Sequence, residues 1–264
     1  MPGPGSLLAS LALLAGTTAP LGAGPAPSAT VPTAASAADP TPGPVVIVPG
    51  TLADEPIIEV ELRSLREALR ADGYQPFTYY LPGGGTGDMR VTAAGLPAFV
   101  DDVLATTGAS TVDIIGHSQG GLLGRYYVKF LGGDATVDSL VSLGTPHHGT
   151  KLANLGSLFG LWNCLGFGAC TQAAVGSSFL ADLNGDDDTP GAVRYTSFAT
   201  KLDAIVVPYG NSLLTGDGNT NVVVQDQCPL RTVEHLTFPQ DGAVYSGIVD
   251  ALAGRPITLD CLAL

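Results

Sequence analysis

Short hydrophobic runs rich in Val and Ile alternate along the chain with segments whose apolar residues recur every three to four positions. The first pattern predicts buried β-strands, and the second predicts amphipathic helices. The predicted strands are 44–50, 75–81, 111–115, 137–143, 193–200 and 220–225, and the predicted helices are about 57–71, 96–107, 122–131 and 242–253. Because such alternation builds a parallel sheet flanked by helices, we predict an α/β fold with about six mainly parallel strands.

The first part of the chain lacks this alternation. No ionisable side chain precedes Asp39, and the apolar run 7–15 has the length of a signal-peptide core but is too short to span a bilayer. Small residues at 35–37 follow an Ala-x-Ala cleavage pattern. We expect residues 1–38 to be a leader removed on export and residues 39–264 to form one secreted catalytic domain. The alternative is an apolar N-terminal tail without a targeting role.

Composition narrows the class of protein. The 264 residues are 45% hydrophobic and 13% charged, a balance that supports a large buried core and argues against a disordered chain. Eleven basic residues against 24 acidic residues leave a formal net charge of −13. Such an acidic chain is not expected to bind nucleic acid through counterion release.

Cysteine usage agrees with export. Four cysteines permit three pairings, of which we expect Cys164–Cys170 and Cys228–Cys261 because each pair brackets a loop-rich segment. The five-residue gap between Cys164 and Cys170 is not a zinc spacing. No metal site is expected.

The candidate nucleophile is Ser118. It stands at the centre of Gly116-x-Ser118-x-Gly120, between a predicted strand and a predicted helix. A sharp strand-to-helix turn requires small residues two positions before and two positions after the serine, and it leaves the serine at a helix N-terminus that favours a developing oxyanion. The alternative is a glycine-rich turn with a serine that caps a helix.

A serine nucleophile needs a histidine base. His235 follows the last predicted strand, where the order serine, acid, histidine places the base. His117 is expected to point away from Ser118 as a packing residue, whereas His147 and His148 are expected to line the cleft but come too early in the chain. The alternative is that His235 is an ordinary loop histidine.

The expected acid is Asp203, on a loop beyond the strand 193–200. Glu234 is not expected to bond the ring of the neighbouring His235. Four other carboxylates precede that strand and are expected to form a solvated acidic turn, with weak calcium binding as the alternative: Asp182, Asp186, Asp187 and Asp188.

An oxyanion hole requires two backbone donors. Gly50 permits a turn after the first strand, so that Thr51 can offer its N–H and its hydroxyl. The second donor is expected to be the N–H of Gln119, directly after the nucleophile.

Five motifs in this order resemble the secreted bacterial class 2 lipases. They are Val46-Ile47-Val48-Pro49-Gly50-Thr51, Gly116-His117-Ser118-Gln119-Gly120-Gly121, Gly144-Thr145-Pro146-His147-His148-Gly149-Thr150, Asp203-Ala204-Ile205-Val206-Val207-Pro208 and Glu234-His235. The carboxyl-terminal half also resembles the fungal lipase B type. The resemblance covers about residues 44–262 and implies an α/β-hydrolase fold, a triacylglycerol lipase or carboxylesterase without a cofactor, the triad Ser118, Asp203 and His235, and an oxyanion hole at Thr51 and Gln119.

A charge-free, apolar stretch at 152–181 lies in a predicted cap-like insertion at about 151–190. Polar residues and glycines interrupt it, so a transmembrane helix is not expected. We expect it to form a lid or an acyl-pocket wall, with plain core packing as the alternative.

The expected activity is hydrolysis of acylglycerols or fatty acid esters by a monomer, with a lipid–water interface as an expected place of action. A short-chain carboxylesterase, an acyltransferase and a non-catalytic binding protein of the same fold remain alternatives.

Overall fold

The structure, a computed structural model, describes residues 42–52, 55–153 and 167–264. The strands are β1 (Pro44–Val48), β2 (Gln75–Thr78), β3 (Val112–His117), β4 (Val137–Leu143), β5 (Arg194–Ala199) and β6 (Thr220–Val223). The α-helices are α1 (Glu55–Glu61), α2 (Arg63–Ala71), α3 (Met89–Ala93), α4 (Leu96–Thr107), α5 (Gln119–Phe130), α6 (Gly168–Gln172), α7 (Ser178–Asn184), α8 (Val224–Gln227) and α9 (Gly242–Leu252). Short 3-10 helices span Pro82–Gly85, Gly133–Ala135, Tyr209–Ser212 and His235–Gln240.

The six strands form one fully parallel sheet in the order β2-β1-β3-β4-β5-β6. Successive side chains of a strand point to opposite faces of the sheet, so the sheet has a hydrophobic core on each face. In β1, Val46 and Val48 pack with α4 and α5, whereas Val45 and Ile47 pack with α1, α2 and α9. The predicted α/β architecture is confirmed, and all six carboxyl ends of the strands meet at one edge of the sheet.

Several boundaries differ from the prediction. The single helix predicted at 57–71 is two helices that meet at Leu62, although the backbone bonds Leu62 N to Ile58 O and Arg66 N to Leu62 O continue across the junction at 2.9 Å each. Leu62 is fully buried and has φ −95° and ψ 2°, so the apolar stripe continues through a one-residue departure from helical backbone angles that hydrophobic spacing does not record. Similarly, β6 ends at Val223 because the next residues turn into α8.

The second strand is also shorter than predicted. It ends at Thr78, and Tyr79 adds one further bond from its N–H to Ile47 O at 3.0 Å before the chain enters the 3-10 helix at Pro82. The helix predicted at 122–131 begins earlier, at Gln119, directly after the candidate nucleophile. This early start places the helix N-terminus at Ser118.

Among the described residues of the predicted insertion at about 151–190, several pack into the core. Phe179 is buried and stacks on Tyr126 of α5 at a ring-centroid distance of 5.7 Å. The predicted lid or acyl-pocket wall falls largely on residues 154–166, outside the described ranges.

Cys228 and Cys261 form a disulfide with a Cα–Cα distance of 5.4 Å. The expected pairing of Cys164 with Cys170 cannot be placed, because Cys164 lies outside the described residues. Within the described ranges, no helix has the length and apolar character needed to cross a bilayer.

Candidate active site

Ser118 occupies a strained turn at the carboxyl edge of the sheet. It lies between the end of β3 at His117 and the start of α5 at Gln119, with φ 53° and ψ −121°. Its N–H donates to Leu143 O of β4 at 2.9 Å, which ties the turn to the neighbouring strand. A non-glycine residue with positive φ persists only where the surrounding structure enforces it, and this turn exposes the serine side chain at the helix N-terminus.

Two glycines permit this turn. A Cβ at Gly116 would collide with the backbone nitrogen of Gly121, and a Cβ at Gly120 would collide with the carbonyl oxygen of Val48. Both obstacles are backbone atoms, which cannot move aside as a flexible side chain can. The predicted requirement for small residues at both positions therefore has a direct steric cause in this structure.

Three side chains from distant parts of the chain form a continuous hydrogen-bonded row. Ser118 Oγ lies 2.9 Å from His235 Nε2, and His235 Nδ1 lies 2.9 Å from Asp203 Oδ2. The side chains of His235 and Asp203 are 4% and 1% exposed, whereas Ser118 is half-buried. The arrangement leaves the hydroxyl accessible and shields the groups behind it from water.

Asp203 is held by the backbone of its own loop. Its Oδ1 accepts from the N–H groups of Ile205 and Val206 at 2.8 and 2.7 Å, which leaves Oδ2 for His235. A carboxylate that accepts from Nδ1–H leaves Nε2 with its lone pair toward Ser118. The row can therefore accept a proton from the serine hydroxyl and stabilise the resulting imidazolium.

His235 begins a 3-10 helix whose first turn is capped reciprocally. The N–H of Glu234 donates to Thr237 Oγ1 at 2.9 Å, and the Glu234 side chain accepts from the Thr237 backbone. Glu234 thus acts as a cap for the helix that carries His235. A second support comes from His117, whose Nε2 lies 2.9 Å from the carbonyl oxygen of His235.

The role expected for His117 was packing alone, and that expectation is incomplete. Besides its bond to His235 O, its Nδ1 lies 2.9 Å from Glu61 Oε1. Glu61 was not singled out, because a glutamate on an amphipathic helix has the same pattern as a solvated one. Only the fold brings the end of α1 to the turn before Ser118.

Thr51 lies on the loop that passes beside Ser118. A Cβ on the preceding Gly50 would approach Ser118 Cβ to 3.1 Å, so the β1 loop passes directly over the turn. The hydroxyl of Thr51 donates to Gln119 Oε1 at 2.7 Å. Its proton is therefore directed at a side chain, and the backbone N–H groups of Thr51 and Gln119 are the candidate donors to an oxyanion.

The prediction that His147 lines the cleft is wrong. His147 is fully buried, and desolvation, with Arg125 beside it, holds its pKa well below the ordinary value. Arg125 is itself 1% exposed; burial lowers its pKa to about 10, and its guanidinium donates to Asn184 Oδ1 at 3.0 Å and to Asp188 O at 2.9 Å. This buried cluster joins α5 to residues 183–188.

The expectation of a solvated acidic turn is wrong for Asp188. It is 4% exposed, and its Oδ2 accepts from the N–H and hydroxyl of Thr215 at 2.8 Å each. Burial alone would raise its pKa, but these bonds and the charge of Arg125 outweigh burial and lower it. Asp182 and Asp186, in contrast, are exposed. Within the described ranges, no group of three or more His, Cys, Asp or Glu side chains is arranged to hold a metal ion.

Comparison with known proteins identifies a family match. The model of the family Lipase (class 2) matches residues 43–240. A triacylglycerol lipase of Pseudarthrobacter phenanthrenivorans is 48% identical over 59 residues, which are 22% of this chain and 18% of that protein. This chain therefore spans less than a fifth of that relative.

Solved structures share the fold at low identity. Lipase B of Aspergillus fumigatus superposes with a TM-score of 0.68 and 19% identity, over 83% of this chain and 54% of that chain. The mature form of the Bacillus licheniformis lipase BlEst2 gives a TM-score of 0.60 and 20% identity, over 76% of this chain and 88% of that chain. Together with the parallel sheet, these likenesses establish an α/β-hydrolase fold.

Proposed function

Because the chain belongs to the class 2 lipase family, we propose that it is a secreted serine lipase that hydrolyses carboxylic esters of acylglycerols or fatty acids. The observation that carries this proposal is the row Ser118 Oγ, His235 Nε2 and Nδ1, and Asp203 Oδ2, with 2.9 Å at each step. The named lipases among the relatives support the ester substrate class.

The proposed reaction proceeds in two acyl-transfer steps. His235 Nε2 takes the proton of Ser118 as the oxygen attacks the ester carbonyl, and Asp203 stabilises the imidazolium. The N–H groups of Thr51 and Gln119 bind the oxyanion, and His235 then gives its proton to the departing alcohol. Water, deprotonated by His235, attacks the acyl-enzyme and releases the fatty acid and free Ser118. Each proton taken by His235 is returned, so the cycle needs no cofactor.

Apolar side chains on the loops around Ser118 support a lipid substrate. Five are exposed by 41–66%, and we call them the apolar rim: Leu52, Leu152, Ile205, Val207 and Leu236. Leu52 directly follows Thr51, Leu236 directly follows His235, and Ile205 lies two positions after Asp203. Two bonds join the loops that carry the others: Thr150 Oγ1 to Ile205 O at 2.6 Å, and Lys151 N to Val207 O at 2.8 Å. Exposed apolar side chains on loops that carry the site suit contact with a lipid–water interface.

Export is the second part of the proposal. The Cys228–Cys261 disulfide is of a kind that persists in oxidising compartments, which supports secretion. Comparison of the full chain with the chain recovered from culture medium, by N-terminal sequencing, tests removal of the leader. Recovery of the protein only from the cytoplasm of a secreting host would contradict export.

The decisive experiment compares the wild type with Ser118→Ala. We expect the wild type to cleave p-nitrophenyl esters of graded chain length and emulsified triglyceride, and to react with a fluorophosphonate probe. The variant should lose labelling and hydrolysis while its melting temperature stays within a few degrees. Retained hydrolysis would refute Ser118 as the nucleophile. Activity confined to soluble short-chain esters would instead identify a carboxylesterase, and acyl transfer that exceeds hydrolysis in added alcohol would identify an acyltransferase.

A further inference from the structure

His117 lies directly behind the proposed base. Its side chain is 3% exposed, its ring centroid is 5.2 Å from that of His235, and its Nε2 is 2.9 Å from the carbonyl oxygen of His235. A carbonyl oxygen only accepts hydrogen bonds, so Nε2 of His117 must carry the proton. This settles the role of one ring nitrogen.

The other ring nitrogen faces a carboxylate. Nδ1 of His117 and Oε1 of Glu61 are 2.9 Å apart, but their geometry is not that of a hydrogen bond. The Glu61 side chain is 16% exposed, so water screens the field of its carboxylate at the His117 ring only weakly.

We propose that His117, which lies between Glu61 and the main chain of His235, is a positioning residue that sets the distance between the proposed base and nucleophile. The inference rests on the proposed function. His117 is adjacent to Ser118 in the chain, and its ring bonds the main chain of His235. One short path, from the Ser118 backbone through the His117 ring to the His235 backbone, therefore links the two reacting side chains.

This path is short enough to matter for the chemistry. Proton transfer from Ser118 Oγ to His235 Nε2 depends on their 2.9 Å separation, and the glutamate–threonine cap and the bond to Asp203 fix other parts of the His235 residue. Without His117 Nε2–H, the buried carbonyl of His235 would also lose a side-chain donor. An apolar ring could fill the space but could not hold that carbonyl.

Two substitutions separate positioning from packing. His117→Phe fills the volume without a donor, and we expect kcat to fall about 10- to 100-fold with KM within about 2-fold of the wild type. His117→Gln places an amide N–H near the position of Nε2 and should restore kcat to within about 3-fold of the wild type. Equal loss in both variants, or no loss in His117→Phe, would overturn the proposal.

The contact with Glu61 has its own test with a matched control. In ¹⁵N spectra of the resting wild-type protein, His117 Nε2 should carry a proton, and Glu61→Gln should shift the ring signals of His117 because it removes the neighbouring carboxylate charge. Glu59→Gln serves as the control, because Glu59 lies on the same helix but bonds Arg66 at 2.8 Å instead. The control should leave the His117 signals unchanged. An unprotonated Nε2 in the wild type would refute the bond to His235 even if His117→Phe fails to fold.

The two proposals can fail separately. If wild type and Ser118→Ala are equally inactive on every ester, the proposed function fails. If the wild type is active, Ser118→Ala is inactive and His117→Phe matches the wild type in kcat, only the positioning role fails.

Discussion

The hydroxyl of Thr51 donates to Gln119 Oε1 at 2.7 Å, and a third group determines the direction of this bond. Gln119 Nε2 lies 2.9 Å from the carbonyl oxygen of Gly85, which can only accept, so the amide nitrogen must face Gly85 and the amide oxygen must face Thr51. Leu52 N also bonds Gly84 O at 2.8 Å. Hydrogen bonds therefore tie the loop that carries the proposed oxyanion donor to the 3-10 helix at Pro82–Gly85, and we call this set of bonds the latch.

This latch leads to a prediction for Thr51. Thr51→Val removes the hydroxyl and leaves Gln119 Oε1 without a partner, so kcat/KM should fall about 10- to 100-fold through displacement of the donor N–H. Thr51→Ser keeps the bond and should remain within about 3-fold of the wild type. Steady-state kinetics on a soluble ester measures both. Equal activity of the valine and serine variants would show that the latch has no role in catalysis.

A second prediction concerns Asp203. In Asp203→Asn, the amide oxygen should keep the N–H bonds of Ile205 and Val206 and turn the amide NH₂ toward His235 Nδ1. That nitrogen must then accept, so the proton moves to Nε2 and the ring can no longer take the serine proton. We expect kcat to fall by roughly 10⁴-fold with little change in fold, as measured by initial rates and circular dichroism. A loss of less than 10-fold would argue against Asp203 as the orienting acid.

The apolar rim predicts a selective defect at lipid surfaces. Leu152→Ser combined with Val207→Ser removes two exposed apolar side chains without altering the hydrogen-bonded row. We expect activity on emulsified long-chain triglyceride to fall about 30-fold, because the two apolar groups contribute about 1 kcal/mol each to interfacial binding. Hydrolysis of a soluble short-chain ester should stay within about 2-fold. Leu262→Ser, at an 88% exposed site near the chain end, is the matched control and should change neither activity.

Asp113 predicts how stability depends on pH. Burial, with the charge of Asp138 as the next cause, raises the pKa of this β3 carboxyl to about 7, far above the 3.8 of a free aspartate. Between these values the folded state holds a proton that the unfolded state releases, so the free energy of unfolding should decrease as pH rises from about 4 to 7.

Asp113→Asn should remove this contribution. The free energy of unfolding of the variant should exceed that of the wild type by roughly 2–4 kcal/mol at pH 8 and by little at pH 4, since one pKa unit corresponds to about 1.4 kcal/mol. Urea unfolding at both pH values measures the difference, and Asp101→Asn, at an exposed site on α4, provides the control. A stabilisation that is equal at pH 4 and pH 8 would contradict the assignment.

Removal of the Cys228–Cys261 disulfide should lower the stability of the fold without lowering catalytic activity. The disulfide closes a loop with a sequence separation of 33, which should stabilise the fold by about 3–4 kcal/mol. Cys261→Ala breaks the bridge from its exposed end and should lower the urea midpoint accordingly, while kcat at 25 °C stays near the wild-type value. The double variant with Cys228→Ala should lose a similar amount. A decrease in the free energy of unfolding of less than about 1 kcal/mol in both variants would show that the bridge adds little to stability.

The sheet and the row of candidate catalytic side chains could be predicted because each depends on local pattern. Runs such as Pro44–Val48 identify strands buried on both faces, and Gly116 and Gly120 mark the turn around Ser118. Parallel strands bring their carboxyl ends to one edge, so the order of Thr51, Ser118, Asp203 and His235 along the chain was sufficient to expect them near one another. Their hydrogen-bond geometry required the structure.

Other features depend on contacts between distant segments and leave no local pattern. Glu61 and Asp188 each look like ordinary surface carboxylates in sequence, yet one faces His117 and the other is buried against Thr215. The break in helical backbone angles at Leu62 preserves the apolar spacing and is therefore not detected by periodicity. In each case the missing information is which segment packs against the residue.

The order of elements in the sheet also has a consequence for biosynthesis. Ser118 follows β3 in the middle of the described sheet, whereas His235 follows β6, which joins the sheet at its far edge and leaves the ribosome after the other five described strands. A partly synthesised chain can therefore present the serine without the group that would activate it. On the proposed function, the reacting row is complete only after the segment that follows β6 has docked.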